Sequence, residues 1–232
     1  MTQQKAKPKT MRVVTKHDVA KKAINIVPKT TGQEAYLKAL GTAEQTVVLG
    51  PSGTGKTYRA ASLTTSLYYV EKINKIVIIR FYVFLGEKFG FLLGDLREKT
   101  EPWVLPVLDV LDEHLGKDIV DTFIKNGNTE IAPIALMRGR SFSDAFIICD
   151  EAQNLTLHEL KMLLTRVGED SKLVVNGDVM QSELKEADGL TQIVKLIEKY
   201  DLPISICELG VDDLVRSAMT KMWVETFMKE GI

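Results

Sequence analysis

Eight residues, Gly50-Pro51-Ser52-Gly53-Thr54-Gly55-Lys56-Thr57, constrain this chain more than any other stretch. They match G-x-x-x-x-G-K-[ST] in full, follow the apolar run Thr46–Leu49 and open the helix-compatible segment Gly55–Tyr69. A strand that turns through such a loop into a helix is built to hold phosphate. Gly50, Gly53 and Gly55 let the backbone turn tightly, so that the N–H groups of the loop, Ser52 and Thr54 among them, close around phosphate oxygens; Pro51, within the same span, has no N–H to offer. The helix N-terminus adds its partial positive charge. Lys56 is then placed to reach the β- and γ-phosphates, and the Thr57 hydroxyl to coordinate Mg²⁺. A chance glycine-rich turn is the competing reading, and the flanking strand and helix weigh against it.

Downstream, short runs of Val, Ile, Leu, Phe and Cys alternate with helix-compatible stretches. Thr46–Leu49, Lys75–Arg80, Ala145–Cys149, Lys172–Asn176 and Ile204–Glu208 read as strands covered on both faces. Gly55–Tyr69, Leu157–Val167 and Leu190–Lys199 read as the helices between them, which predicts an α/β fold with a mostly parallel sheet. Residues 86–130 form an inserted, mostly helical segment punctuated by Pro102, Pro106 and Gly116.

Composition narrows the class without naming it. With 232 residues, 45% hydrophobic and 26% charged, the chain is rich enough in apolar residues for a core and too mixed for global disorder or a fibrous repeat. No apolar run is long enough to span a bilayer, and the start, MTQQKAKPKT, lacks the apolar core of a secretory signal, so a cytoplasmic protein is expected. Cys149 and Cys207 lie in apolar runs with no metal-binding spacing and read as buried, reduced thiols. Charge is uneven. Residues 1–30 carry eight Lys or Arg against Asp18, a net of +7 in a chain of net −1, which leaves −8 for the remainder. This segment reads as a basic, partly flexible arm, which either grips a nucleic-acid backbone or only solubilises the chain, and residues 31–232 as one domain.

Two further strand ends complete the chemistry. Ala145–Cys149 runs into Asp150-Glu151, where Asp150 is placed to hold Mg²⁺ and Glu151 to polarise the water that attacks a γ-phosphate. Strand-end carboxylates alone are often solvated turn formers; beside a phosphate loop they form a set. Lys172–Asn176 runs into Gly177-Asp178-x-x-Gln181, where Gln181 either senses the γ-phosphate or has a structural role, and Asp178 can be a turn residue.

Asp150-Glu151-Ala152-Gln153-Asn154 and Gly177-Asp178-x-x-Gln181 resemble motifs II and III of superfamily 1 helicases. By that likeness Gln33, ahead of the loop, corresponds to the glutamine that reads adenine. Over residues 30 to 220 the chain resembles the PhoH family of phosphate-loop ATPases. The resemblance is carried by the loop, Gly86–Asp95, Met137–Phe142, Phe146–Asn154, Lys161–Gly168, Gly177–Gln181 and Asp213–Arg216. It departs at Arg80-Phe81, where the family favours Arg-Pro, and at Leu92-Leu93-Gly94-Asp95, where it favours Leu-Pro-Gly-Asp. The resemblance implies a RecA-like three-layer sandwich binding ATP and Mg²⁺, and a homo-oligomer, often a hexameric ring, acting on single-stranded RNA or DNA.

The sequence has its own reason to expect an oligomer. A chain with one such domain lacks the second domain that supplies arginines in those helicases, and an arginine finger is worth about 10³–10⁵ in rate. Arg138, Arg140, Arg166 and Arg216 are the candidates for donation between subunits, each with an alternative as an ordinary solvated, helix-end or ion-paired cation. Phe81, Tyr82, Phe84, Phe89 and Phe91, with Arg80, Lys88 and Arg97, either stack on bases or pack a helix onto the sheet. Trp103 and Trp223 read as core or interface anchors. The expected activity is ATP hydrolysis coupled to unwinding or translocation. A slow nucleotide-gated switch is the alternative, and a small-molecule kinase fits less well because it needs neither Glu151 nor Gln181.

Overall fold

Among the described residues the five apolar runs and one short edge strand form a six-stranded sheet in which every pairing is parallel. The computed structural model describes residues 24–80, 96–134, 137–182, 184 and 188–231. In chain order they hold α1 (Thr31–Thr42), β1 (Gln45–Leu49), α2 (Lys56–Tyr69), β2 (Lys75–Arg80), α3 (Leu96–Leu115) and α4 (Lys117–Lys125). Then follow β3 (Thr129–Ile131), β4 (Ala145–Asp150), α5 (Leu157–Leu164), β5 (Lys172–Gly177), α6 (Gly189–Lys199), β6 (Ser205–Glu208) and α7 (Ala218–Glu230).

Alternation along the strands divides the core in two. Ile76, Ile78, Phe146, Ile148, Val48 and Val174 face one cluster with Tyr36, Leu40, Tyr68, Val107, Leu111 and Phe123, under α1 to α4. Val77, Ile79, Ile147, Cys149, Val47 and Val175 face the other with Leu160, Leu163, Leu190 and Ile193, under α5 and α6. Both faces are covered, so each central strand reads as a continuous apolar run. Truncating one such buried side chain, for example Ile147→Ala, costs about 2–5 kcal/mol.

The strand order is β3-β2-β4-β5-β1-β6. One strand, β5, therefore lies between β1, which feeds the phosphate loop, and β4, which ends in the acidic pair. Parallel alignment brings Leu49, Arg80, Asp150 and Gly177 to the same edge of the sheet, where ligands of open α/β sheets bind. The fold is an α/β sandwich, with an all-parallel sheet between two layers of helices.

Three features differ from the sequence reading. The inserted segment contains a single helix through Pro102 and Pro106, both on its exposed face, and only Gly116, at φ 87°, ends it. β3, three residues at the edge of the sheet, is too short to show as a pattern. Residues 24–30, grouped by composition with the basic arm, reach the cleft, which Asn25, Ile26, Val27 and Lys29 help to line. Residues 1–23 and the aromatic-basic stretch 81–95 lie outside the described residues. Both cysteines are free, Cys149 fully buried and Cys207 half-buried. Trp223 is not a core residue of this chain; it is 55% exposed on α7, stacked on Phe227 at 5.5 Å.

Candidate functional site

The cleft at the C-terminal edge has a volume of about 770 Å³, within the ~300–1,000 Å³ usual for small-molecule sites. Ser52, Gly53, Gly55, Lys56 and Thr57 line it, while Gly50, Pro51 and Thr54 of the same loop do not. The loop takes the backbone its glycines permit: φ is 150° at Gly50, 93° at Gly53 and 85° at Gly55. At Gly50 an added Cβ would also lie 2.4 Å from the carbonyl oxygen of Leu209, so both conformation and space demand glycine.

Lys56 begins α2 and folds over the loop, donating to the carbonyls of Gly50 and, at 3.1 Å, Pro51. Burial lowers its pKa, opposed by the carboxylates of Asp178, Asp150 and Glu151. The Thr57 hydroxyl donates to Asp150 Oδ1 at 2.9 Å. Asn176, at the end of β5, donates to the same oxygen at 3.4 Å and accepts from the Tyr36 hydroxyl at 3.1 Å. Burial raises the Asp150 pKa, opposed chiefly by Arg80. Two hard oxygens, Thr57 Oγ1 and an Asp150 carboxylate, thus meet at the cleft floor, a donor set that suits Mg²⁺.

Glu151, directly after β4, has a left-handed backbone, φ 57°, unusual for a non-glycine residue. Its carboxylate is 37% exposed and held at both oxygens: Arg80 Nη2 donates to Oε1 at 3.1 Å and Gln153 Nε2 to Oε2 at 2.7 Å. Gln153 in turn accepts from the Asp178 N–H at 3.1 Å, joining the two acidic strand ends. Asp178 is a turn residue and more. It accepts from Met180 N, and at 3.1 Å from Ser52 N in the loop, with its pKa raised by burial and opposed first by Lys56. Gln181 sits exposed on the cleft wall.

Gln33 is placed differently from the expectation. It is fully buried and outside the cleft lining. Its Nε2 donates to the carbonyls of Thr54 and Asp213, both at 3.1 Å, and its Oε1 accepts from Lys29 N at 2.8 Å and from Arg59. No edge of the amide is left for a base; instead Gln33 braces the loop against the C-terminal segment.

The arginines separate as well. Arg216, alone of the four candidates, lines its own chain's cleft, with its side chain against Gly53. Arg140 is bound to Glu130 at 2.5 Å and lies 4.8 Å over the Phe142 ring. Arg166 is half-buried after α5, and Arg138 is exposed in a turn; neither lines the cleft. Sequence reasoning did not assign Arg80, Gln153, Asn176 or Tyr36 to the site. The signal for Arg80 was available: a charged residue ends an apolar strand, as Asp150 does.

The chain is similar to known proteins along most of its length. The family profile described as PhoH-like protein matches residues 25–228. A PhoH-like protein of Bacillus subtilis is 39% identical over 212 residues, covering 90% of this chain and 66% of that protein. Protein PhoH of Escherichia coli is 35% identical over 206 residues, covering 87% and 58%. The chain thus spans less than two thirds of the length of these relatives. Among solved structures, the Sulfolobus solfataricus SWI2/SNF2 ATPase core in complex with dsDNA is similar at TM-score 0.47 and 11% identity, over 88% of this chain and 49% of that one.

Proposed function

The chain belongs to the family of PhoH-like proteins, and from that premise we propose that its cleft binds ATP and hydrolyses the terminal phosphate. The observation that carries this reading is the meeting of Lys56, Thr57, Asp150 and Glu151 at one sheet edge, although 93 residues separate Thr57 from Asp150.

The loop N–H groups and Lys56 hold the phosphates and offset their charge. Thr57 and Asp150 are the residues that would hold Mg²⁺, which when bound draws charge from the phosphate oxygens. Glu151 orients the attacking water and takes up its proton at a carboxylate oxygen, a role worth about 10²–10⁴ in rate. Gln181, on the cleft wall, is placed to sense the terminal phosphate, and Arg216, against Gly53, to add positive charge.

Coupling to single-stranded RNA or DNA, and assembly into a ring, are parts of the same proposal. Among the four candidate arginines, Arg138 is exposed and outside its own cleft, and is the one we assign to a neighbour's cleft. A slow nucleotide-gated switch is the second reading, favoured by the double hold on Glu151. ATP turnover measured against protein concentration, with and without single-stranded RNA or DNA, separates the two. A rate that rises cooperatively and is stimulated supports the motor. Tight binding with a low rate indifferent to both supports the switch, and no ATP binding refutes both.

A further inference from the structure

Register within the sheet sets Arg80, the last residue of β2, opposite Asp150, the last residue of β4. Its side chain is 18% exposed and lies between two carboxylates, with Nη2 at 3.1 Å from Glu151 Oε1 and Nη1 at 3.9 Å from Asp150 Oδ2. Three constraints therefore act on Glu151: the left-handed backbone, the bond from Arg80 and the bond from Gln153. A carboxylate paired in this way has a poorer grip on a water molecule than a free one, because the guanidinium draws its charge.

Arg80 lines the same cleft as Lys56. Arginine binds phosphoryl oxygens through parallel N–H bonds, and a terminal phosphate carries more charge than a carboxylate. A triphosphate in this cleft therefore competes with Glu151 for Arg80. A diphosphate lacks the competing group.

We propose that Arg80 is a positioning residue that exchanges the Glu151 carboxylate for the terminal phosphoryl group of a bound nucleoside triphosphate, thereby distinguishing triphosphate from diphosphate and freeing Glu151 for water. This rests on the reading of the cleft as an ATP site. Arg80 neither attacks nor transfers a proton. The exchange lies within one subunit and needs no neighbour.

The test compares wild type with Arg80→Ala, Arg80→Gln and Arg80→Lys. It reads the affinities for ADP and for a slowly hydrolysed ATP analogue, each with Mg²⁺, together with kcat and KM for ATP and the melting temperature. Loss of a charge-assisted phosphate bond weakens triphosphate binding about 10- to 100-fold in Arg80→Ala. ADP affinity stays at the wild-type value, and kcat falls. Arg80→Lys, which keeps the charge but not the fork, recovers part of the discrimination, whereas Arg80→Gln does not. An unchanged ratio of triphosphate to diphosphate affinity in all three variants overturns the inference, as does equal loss of both. Should Arg80→Ala not fold, the Gln and Lys variants decide the ratio. If wild type hydrolyses ATP and the ratio is insensitive to Arg80, only this inference falls. If wild type binds neither nucleotide, the ATP reading falls with it.

Discussion

The two edges of this sheet carry charge in opposite ways. Toward the N-terminal edge, Lys75 and Arg140 share Glu130, at 2.6 Å and 2.5 Å, in a group partly open to solvent. At the C-terminal edge, Lys56, Asp150 and Asp178 are buried, and Glu151 is held in an unfavourable backbone conformation. Burial alone would raise the Glu130 carboxyl pKa, but the bonds from Arg140 and Lys75 outweigh it and hold the group below its ordinary value. Burial wins at Asp150 and Asp178, which stand above theirs. One edge uses charge to stabilise the fold. The other buries its charges around the cleft, at a cost in stability.

The sharpest contrast is in turnover. Lys56→Ala is expected to lower the ATP hydrolysis rate about 10²–10³-fold, the cost of removing one well-placed electrostatic donor. Lys75→Ala leaves that rate unchanged and shifts stability by less than about 1 kcal/mol, as for other surface ion pairs. Steady-state assays and chemical denaturation of both variants check this, and equal effects on turnover would erase the distinction.

Backbone strain gives the next largest difference. Gly50→Ala forces a methyl against the Leu209 carbonyl as well as a left-handed φ, and is expected to destabilise by about 2–4 kcal/mol. Gly139, also left-handed but with open space around it, should cost only about 1 kcal/mol when changed to Ala. Urea midpoints of the pair measure it.

Smaller effects concern pH. At Asp150 the folded pKa lies above the unfolded one, so between the two the folded state holds more protons and stability falls as pH rises. Asp150→Asn should therefore raise Tm at pH 7 by about 2–4 °C, the shift of about 1 kcal/mol in a chain of this size, while abolishing Mg²⁺-dependent hydrolysis. Glu130 has the reverse sign. Its stabilisation is present above the unfolded pKa and is lost as pH falls through the folded one. Tm against pH for Glu130→Gln should lack that loss on the acid side, and for Asp150→Asn the loss on the rising side.

The central strands were legible because both faces are covered, which writes burial into contiguous residues. β3 was not, since three residues at a sheet edge make no pattern. That Lys56, Thr57, Asp150 and Glu151 belong together was legible, because each stands at a loop or strand end that the sequence displays locally, and the fold brings all four to one cleft. The contacts of Arg80 and Gln153 with Glu151 were not, because they depend on which strands are neighbours and in what register. Gln33 shows the opposite failure: its position ahead of the loop fits a base reader, but the fold turns its amide inward to Thr54, Asp213, Lys29 and Arg59.

The claim that the C-terminal edge is an ATP-hydrolysing site is tested most directly by single-turnover hydrolysis of Mg·ATP in wild type and Glu151→Gln, with ATP affinity measured on the same samples. The account predicts undiminished binding and a rate lower by about 10²–10⁴-fold in the variant. Equal rates in the two proteins, or a wild type that binds no ATP, would contradict it.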